Sequence, residues 1–71
     1  MAKFSVGERV KVVRLLDDIT SRELIGLIGV IEEIDLIEID GRIIQVNYYV
    51  DGHYMHEEEL ERVDNFERIP R

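Results

Sequence analysis

The sequence predicts a small all-β domain, a partly open barrel of five short strands with one 3₁₀ turn. Three observations support this fold class. Isoleucine and valine together account for eighteen of the 71 residues, and β-branched side chains pack well on pleated sheets. Apolar and polar residues alternate over several short segments, which is the pattern of a half-buried strand. Asp-Gly pairs at 40–41 and 51–52 mark tight reverse turns between strands.

The first strand is predicted over residues 9–15, where Val10 and Val12 fall on one face. Because successive side chains of a strand point to opposite sides, these two valines are expected to enter the core together. Phe4 and Val6 precede the strand, and we expect them to close one end of the core.

Residues 16–25 carry no alternation, and they are predicted to form a loop. Thr20 and Glu23 have the spacing of a capping box, so the loop has room for a single helical turn. Gly26 and Gly29 follow closely and argue against a longer helix.

The second strand is predicted to be long, over residues 27–39, with a defect in its middle. Regular pairing from the turn at 40–41 would place Asp35 opposite Val46, on the core face. One extra residue at Asp35 and Leu36 removes that conflict, because a β-bulge shifts the register by one. We therefore predict a bulge or a strand break there. The pairs expected after the shift are Ile34 with Val46 and Val30 with Val50.

The third strand, residues 43–50, has the cleanest alternation in the chain. Its inward side chains are expected to be Ile44, Val46, Tyr48 and Val50, and its outward ones Gln45, Asn47 and Tyr49. The turn at 51–52 leads to a short fourth strand over residues 53–56. The 3₁₀ turn is predicted at residues 57–59. Leu60 then plugs the core, and residues 61–64 form a brief closing strand.

The length allows one domain, which we place at residues 1–64, followed by a C-terminal tail at residues 65–71. Pro70 in the tail cannot join a central strand. A domain this small has a thin core and often needs a staple. The chain has no cysteine, so a disulfide cannot supply it. A homodimer could do so.

The charge balance is acidic: sixteen Asp and Glu residues against nine Lys and Arg give a net charge of −7. Domains that bind nucleic acid present basic patches, because phosphate neutralisation supplies much of their affinity. The net charge therefore makes nucleic acid the less favoured partner. No segment has the ~18 consecutive apolar residues of a membrane span, and the start lacks the apolar run of a signal peptide. We expect a cytoplasmic protein that does not enter membranes.

Three segments of the chain resemble SH3-like small barrels of the KOW and related groups. They are VGERVKV at residues 6–12, GLIGVIEEI at 26–34, and residues 46–63 with their second Asp-Gly turn and the sequence HEEELERV. The resemblance implies a non-catalytic binding or accessory module that mediates protein–protein interaction. It also implies an alternative, since KOW domains of ribosomal and transcription proteins bind nucleic acid.

The residues we expect to bind a partner are Tyr49, Tyr54, Asn47 and Gln45. Tyrosines on the outer sheet face would offer apolar area together with a hydrogen-bonding hydroxyl, which suits an interface anchor. The alternative interpretation is that the two tyrosines simply cover a sheet surface.

Two further features could mark an interface. The first is a basic face made of Lys3, Arg9, Lys11, Arg14 and Arg22, which would dock electrostatically or form salt bridges between the first and last strands. The second is an apolar surplus that a thin barrel has difficulty burying. Its members are Leu24, Ile25, Leu27, Ile31, Leu36 and Ile43. They form either an interface patch or a surface hidden under the long loop.

The sequence offers no support for catalysis, a cofactor or a metal. There is no cysteine nucleophile, and the glycines at 26 and 29 lack the Lys-Ser/Thr ending of a phosphate loop. His53 and His56 would face opposite sides of a strand, so their rings would diverge. We therefore expect a protein that is not an enzyme.

Overall fold

The computed structural model describes residues 2–63, and these residues form an all-β fold. The five strands are β1 (Arg9–Val12), β2 (Ile28–Ile39), β3 (Arg42–Val50), β4 (His53–His56) and β5 (Leu60–Arg62). All are antiparallel and form one sheet in the order β4-β3-β2-β1-β5. The predicted class and strand number are confirmed. Over residues 2–63 the sheet is not closed into a barrel, because β4 and β5 remain its two edges. The predicted boundary at residue 64 and the tail at 65–71 lie outside the described residues.

Two 3₁₀ turns are present in this part of the chain, where one was predicted. The turn at Glu57–Glu59 is the predicted one. The second, Arg22–Leu24, lies in the long loop, where a single helical turn was considered. Ser21 caps it, not Thr20, because the Ser21 hydroxyl accepts a hydrogen bond from the Glu23 amide at 3.3 Å. Among residues 2–63, no helix is long and apolar enough to cross a membrane.

The core is a small cluster contributed by every strand. Its members are Phe4, Val10, Val12, Ile31, Val46, Tyr48, Val50, Met55 and Leu60. The rings of Phe4 and Tyr48 pack edge to face with centroids 5.4 Å apart. Val6 was expected in the core but is exposed. It lies in the middle of a turn that the Glu8 amide closes on the Ser5 carbonyl at 3.0 Å, so its side chain points outward.

Both Asp-Gly pairs form the predicted tight turns. Asp40 and Gly41 have φ values of 52° and 77°, and Asp51 and Gly52 have values of 54° and 84°. Two successive residues with positive φ define a type I′ turn, whose twist matches that of the flanking strands. These turns fix the pairs at the two ends of β3, which are Ile39 with Arg42 and Val50 with His53.

The predicted bulge at Asp35 and Leu36 was wrong, because the register shifts occur elsewhere. One extra residue, Ile44, is inserted in β3 near the turn, and another, Glu32, is inserted in β2. The insertion at Ile44 already pairs Asp35 with Asn47, on the outer face, so no further shift is needed at Asp35. Three expected features change as a result. Ile34 lies opposite Tyr48, Ile31 replaces Val30 as the residue opposite Val50, and both Ile44 and Val30 are exposed.

Strand β2 belongs to both halves of the sheet. Its first residues pair with β1, through Val30 with Arg9 and Ile28 with Lys11, while residues 31–39 pair with β3. The Glu32 insertion lies at the changeover, where a bulge bends the strand. Gly29 makes the bend sterically possible, since a Cβ atom there would lie 2.9 Å from Val50 Cγ1.

The hydroxyl of Tyr48 ties the start of the chain to the sheet. It accepts hydrogen bonds from the backbone amides of Lys3 at 3.1 Å and Phe4 at 3.3 Å, and it donates one to the Glu57 carboxylate. Burial raises the pKa of Tyr48, and the hydrogen bond to Glu57 raises it further. The hydroxyl therefore stays protonated and keeps all three bonds in the neutral pH range.

Replacing Gly29 by alanine is expected to lower the free energy of unfolding by about 1–3 kcal/mol, the usual cost of overpacking a close contact. Urea unfolding followed by circular dichroism measures this change. Val50→Ala removes the Cγ1 atom that the new methyl group would meet. In that background the same glycine replacement should cost less by about 1 kcal/mol. Equal costs in the two backgrounds would show that the approach of Gly29 to Val50 is not the constraint.

Candidate functional site

The side of β2, β3 and β4 that faces away from Tyr48 carries the candidate site, which we call the tyrosine face. Cross-strand pairing arranges it in rows. Tyr49 lies opposite Tyr54, and Asn47 lies between Asp35 on one neighbour and His56 on the other. The tyrosine face consists of Asp35, Gln45, Asn47, Tyr49, Tyr54 and His56. It includes all four residues predicted to bind a partner.

The two tyrosines form an exposed aromatic pair. Their ring centroids are 4.9 Å apart with the planes inclined at 54°, a tilted geometry that is favourable for aromatic rings. Tyr49 is 37% exposed and Tyr54 is 45% exposed. Each ring therefore packs on the other and still presents apolar area to solvent.

The hydroxyl of Tyr54 is held from two sides. It donates a hydrogen bond to Asp35 Oδ2 at 2.6 Å and accepts one from Asn47 Nδ2 at 2.8 Å. The bond to the Asp35 carboxylate raises the pKa of Tyr54, and it outweighs the lowering effect of the Asn47 amide. The ring of Tyr54 is thus fixed at its tip as well as along its edge.

Asn47 lies on the predicted face, but it is only 2% exposed. Its Oδ1 atom accepts a hydrogen bond from Gln45 Nε2 at 3.0 Å, and the same Nε2 lies 3.0 Å from His56 Nδ1. His56 Nδ1 also lies 3.1 Å from Asn47 Oδ1, so the ring nitrogen is within hydrogen-bonding distance of both side chains. Asn47 therefore positions Tyr54 instead of offering a free group to a partner.

Sequence reasoning missed Asp35 and His56 as members of the tyrosine face. Asp35 reaches this face only because Ile44 is inserted in β3. His56 reaches it because the turn at 51–52 pairs it with Asn47. The second of these placements could have been found from the sequence, since the Asp-Gly turn sets the pairing of β4.

A buried carboxylate connects the tyrosine face to the long loop. Glu59 is 2% exposed. Its Oε1 accepts the His56 backbone amide and its Oε2 the Leu16 backbone amide, both at 2.9 Å. Two backbone donors compensate the burial of the carboxylate. The last residue of β4 and the first residue of the loop are therefore held by one side chain.

The five predicted basic residues are exposed but lie on several different segments. On β1, Lys11 stands between Glu61 and Ile28. Arg14 donates to the Glu58 carbonyl, and Arg22 lies 3.9 Å from Asp18.

An ion pair does join the beginning of the fold to its last strand, but it uses Glu8 and Arg62. Neither of these residues belongs to the predicted basic face. The hydrogen bond from Arg62 lowers the pKa of Glu8. This pair has an acid at the beginning of the fold and a base on the last strand, the reverse of the expected order, so it involves none of the predicted basic residues.

The predicted apolar surplus separates into three groups. Ile31 is fully buried, Leu24 and Leu27 are half-buried, and Ile25, Leu36 and Ile43 are exposed. The long loop therefore does not hide the whole set. Leu36 and Ile43 lie far from the loop in sequence, on the hairpin formed by β2 and β3.

Within residues 2–63, no group of three or more His, Asp or Glu side chains is placed to hold a metal ion. His56 is turned towards Gln45 and Asn47. His53 is exposed at the start of β4, three positions away along the strand.

Replacing Asp35 by asparagine is expected to lower the pKa of Tyr54, because the carboxylate that disfavours the phenolate is removed. Phenolate absorbance measured against pH follows the ionisation of the tyrosines. The part of the titration that is missing in Tyr54→Phe belongs to Tyr54. Because folding raises the pKa of Tyr54, the hydrogen bond to Asp35 adds to the free energy of unfolding. This contribution is complete below the ordinary tyrosine pKa of about 10 and is lost as pH rises through the pKa of the folded state. An unchanged Tyr54 titration in Asp35→Asn would contradict the hydrogen-bond assignment.

No family model matches this chain, and neither a curated protein nor a solved structure is significantly similar to it. The role of the tyrosine face therefore rests on its own geometry, exposure and chemistry.

Proposed function

We propose that this chain is a non-catalytic binding module that holds a protein partner on its tyrosine face. The observation that carries the proposal is the pair Tyr49 and Tyr54, exposed on the sheet and packed with ring centroids 4.9 Å apart. Tyrosine is enriched among the residues that dominate binding energies at protein interfaces.

The restraint on Tyr54 supports this role. Ordering a side chain at an interface costs free energy, and a side chain that is already ordered avoids part of that cost. Asp35 and Asn47 hold the Tyr54 hydroxyl before any partner arrives. The tyrosine face therefore offers a preorganised aromatic surface on a rigid β-sheet.

The hydrogen-bonding pattern favours binding over chemistry. The polar groups of Gln45, Asn47 and Tyr54 use their hydrogen bonds on one another, and the His56 ring bonds to the same network. Such groups stabilise a surface. A general base, in contrast, has to reach the proton of a substrate.

We further propose that the domain is an accessory module of the SH3-like kind. In support, the strands follow one another as antiparallel neighbours from β1 to β4, and a 3₁₀ turn leads into β5, which returns beside β1. This order agrees with the order of elements on which the resemblance in sequence is based.

The tyrosine pair is tested by replacing Tyr49 and Tyr54 with alanine, singly and together. The full chain is immobilised, and partners captured from native cell extract are identified and quantified by mass spectrometry. We expect the double variant to retain the captured protein at least tenfold more weakly, because each interface anchor contributes about 2 kcal/mol or more.

Two control variants accompany this experiment. Ile28→Ala removes an exposed apolar side chain from the outer face of the β1–β2 half, and it should leave capture unchanged. Tyr54→Phe keeps the ring and should lose less affinity than Tyr54→Ala. Thermal unfolding of every variant checks the fold. Equal capture by the wild-type chain and the folded double variant would refute the proposal.

A nucleic-acid partner is distinguished by a gel shift with RNA and duplex DNA. On the proposed function we expect no shift at low salt. A shift that strengthens steeply as salt falls and that Lys11→Ala weakens would support the KOW-like alternative instead.

A further inference from the structure

The hairpin of β2 and β3 extends beyond the strands that flank it. β1 pairs with β2 only as far as Val30, and the last backbone bonds on that side join Ile31 to Gly7 and Glu8 at 2.8 and 2.9 Å. β4 pairs with β3 only over residues 47–50. We call residues 33–39 of β2 and 42–46 of β3 the hairpin arm. Twelve residues of β2 span about 36 Å, whereas the four of β1 span about 10 Å.

Within the described part of the chain, the edge of β2 that continues past β1 is unpaired. Among the described residues, nothing bonds to the backbone on that edge from residue 33 to residue 39. Four of the seven side chains along this edge are apolar, namely Ile34, Leu36, Ile37 and Ile39. Leu36 is 48% exposed and Ile39 is 54% exposed. A long sheet edge with free amides and carbonyls is the surface that another strand extends.

A two-stranded ribbon is at best marginally stable in water. The hairpin arm is such a ribbon, and on its β3 side Ile43 and Ile44 are exposed as well. An additional strand would pair the free backbone groups and cover apolar side chains in one step. The chemistry of the edge therefore calls for an extended strand as its occupant.

We propose that this occupant is the same edge of a second copy, paired antiparallel about a two-fold axis at Leu36. In this dimer two five-stranded sheets join into one continuous sheet through β2. The interface is isologous, since the same segment is used on both sides.

The acidic side chains of the hairpin arm select this register. In a two-fold pairing that continues the sheet, opposed residues point to the same face, so the axis must pass through a residue. An axis at Asp35 or Glu38 would oppose two identical acids, which is destabilising. An axis at Ile37 leaves residues 33 and 34 opposite the turn at 40–41. An axis at Leu36 pairs the whole of residues 33–39 and opposes no two acids. Its pairs are Glu33 with Ile39, Ile34 with Glu38, Asp35 with Ile37, and Leu36 with itself.

The composition adds a second reason. Among residues 2–63 the core contains nine buried apolar residues, and the chain has no cysteine that could stabilise it through a disulfide. Oligomerisation is one of the ways in which domains of this size gain stability. Each copy carries a net charge of −7, so the two copies repel each other at long range. Salt should therefore strengthen the dimer, because it screens this repulsion.

Engineered cysteines test the register. The natural chain has none, so each variant carries only the thiols that are introduced. With oxidised glutathione as oxidant, Leu36→Cys should form a covalent dimer, because residues opposed across an antiparallel pair lie within disulfide reach. Ile39→Cys should not, since the two copies of residue 39 lie about 20 Å apart along the strands. Adding Glu33→Cys to Ile39→Cys should restore cross-linking. Cross-linking of Ile39→Cys alone, or none by Leu36→Cys, would overturn the register.

Sedimentation velocity tests the dimer itself. We expect a species of twice the chain mass of 8.4 kDa, with a Kd that falls several-fold between about 0.05 M and about 0.5 M NaCl. Leu36→Lys opposes two like charges at the axis and should raise the Kd at least tenfold. Ile44→Lys makes the same charge change on the same arm, away from the edge, and should leave the Kd within about twofold of the wild-type value.

A wild-type chain that remains a monomer at high concentration and high salt would overturn the proposal, as would equal effects of the two lysine variants. The proposal is independent of the tyrosine face. The Tyr49→Ala and Tyr54→Ala double variant should still form the dimer, and Leu36→Lys should still capture the partner. The partner-binding proposal and the dimer proposal can therefore be refuted separately.

Discussion

The fold depends on one strand that serves two neighbours. β2 pairs first with β1 and then with β3, and the change occurs at the bulge at Glu32. The absence of a side chain at Gly29 lets this strand approach Val50 closely. Ile31 belongs to one core cluster with residues from both halves of the sheet, nine buried apolar side chains in the described part of the chain.

The same bend separates the outer surface into regions with different properties. Over β3 and β4 the outward side chains are joined by hydrogen bonds, and Asn47 lies buried beneath Tyr54. Past β1, the second half of β2 has β3 on one side and, among the described residues, no strand on the other, and its side chains Leu36 and Ile39 are exposed. A strand that bends once therefore borders both an outer surface fixed by hydrogen bonds and a sheet edge that is unpaired among residues 2–63. The two regions differ in chemistry, because one presents aromatic side chains and the other presents backbone amides and carbonyls.

Most of the architecture could be predicted from the sequence, because the turns carry strong local signals. The two Asp-Gly pairs determine both hairpins, and the alternation in β3 determines which of its faces is buried from Val46 to Val50. The register of β2 could not be predicted. Its isoleucines recur at 28, 31, 34 and 37, a spacing of three that matches neither face of a regular strand. The place of Asp35 on the tyrosine face depends on this register and was missed for the same reason. The neighbouring positions of Tyr49 and Tyr54, in contrast, followed from the turn at 51–52.

The pairing of β1 with β5 has a consequence for how the protein is made. Lys11 has Ile28 as one neighbour and Glu61 as the other, so the second contact closes a loop of about fifty residues. Contacts between such distant positions form late, because the chain must first lose the entropy of closing the loop. During translation, β1 has no second partner until residues 60–62 have left the ribosome. Until then the side of β1 that will pair with β5 stays open to other extended polypeptides, and this is the interval in which a chaperone would protect it.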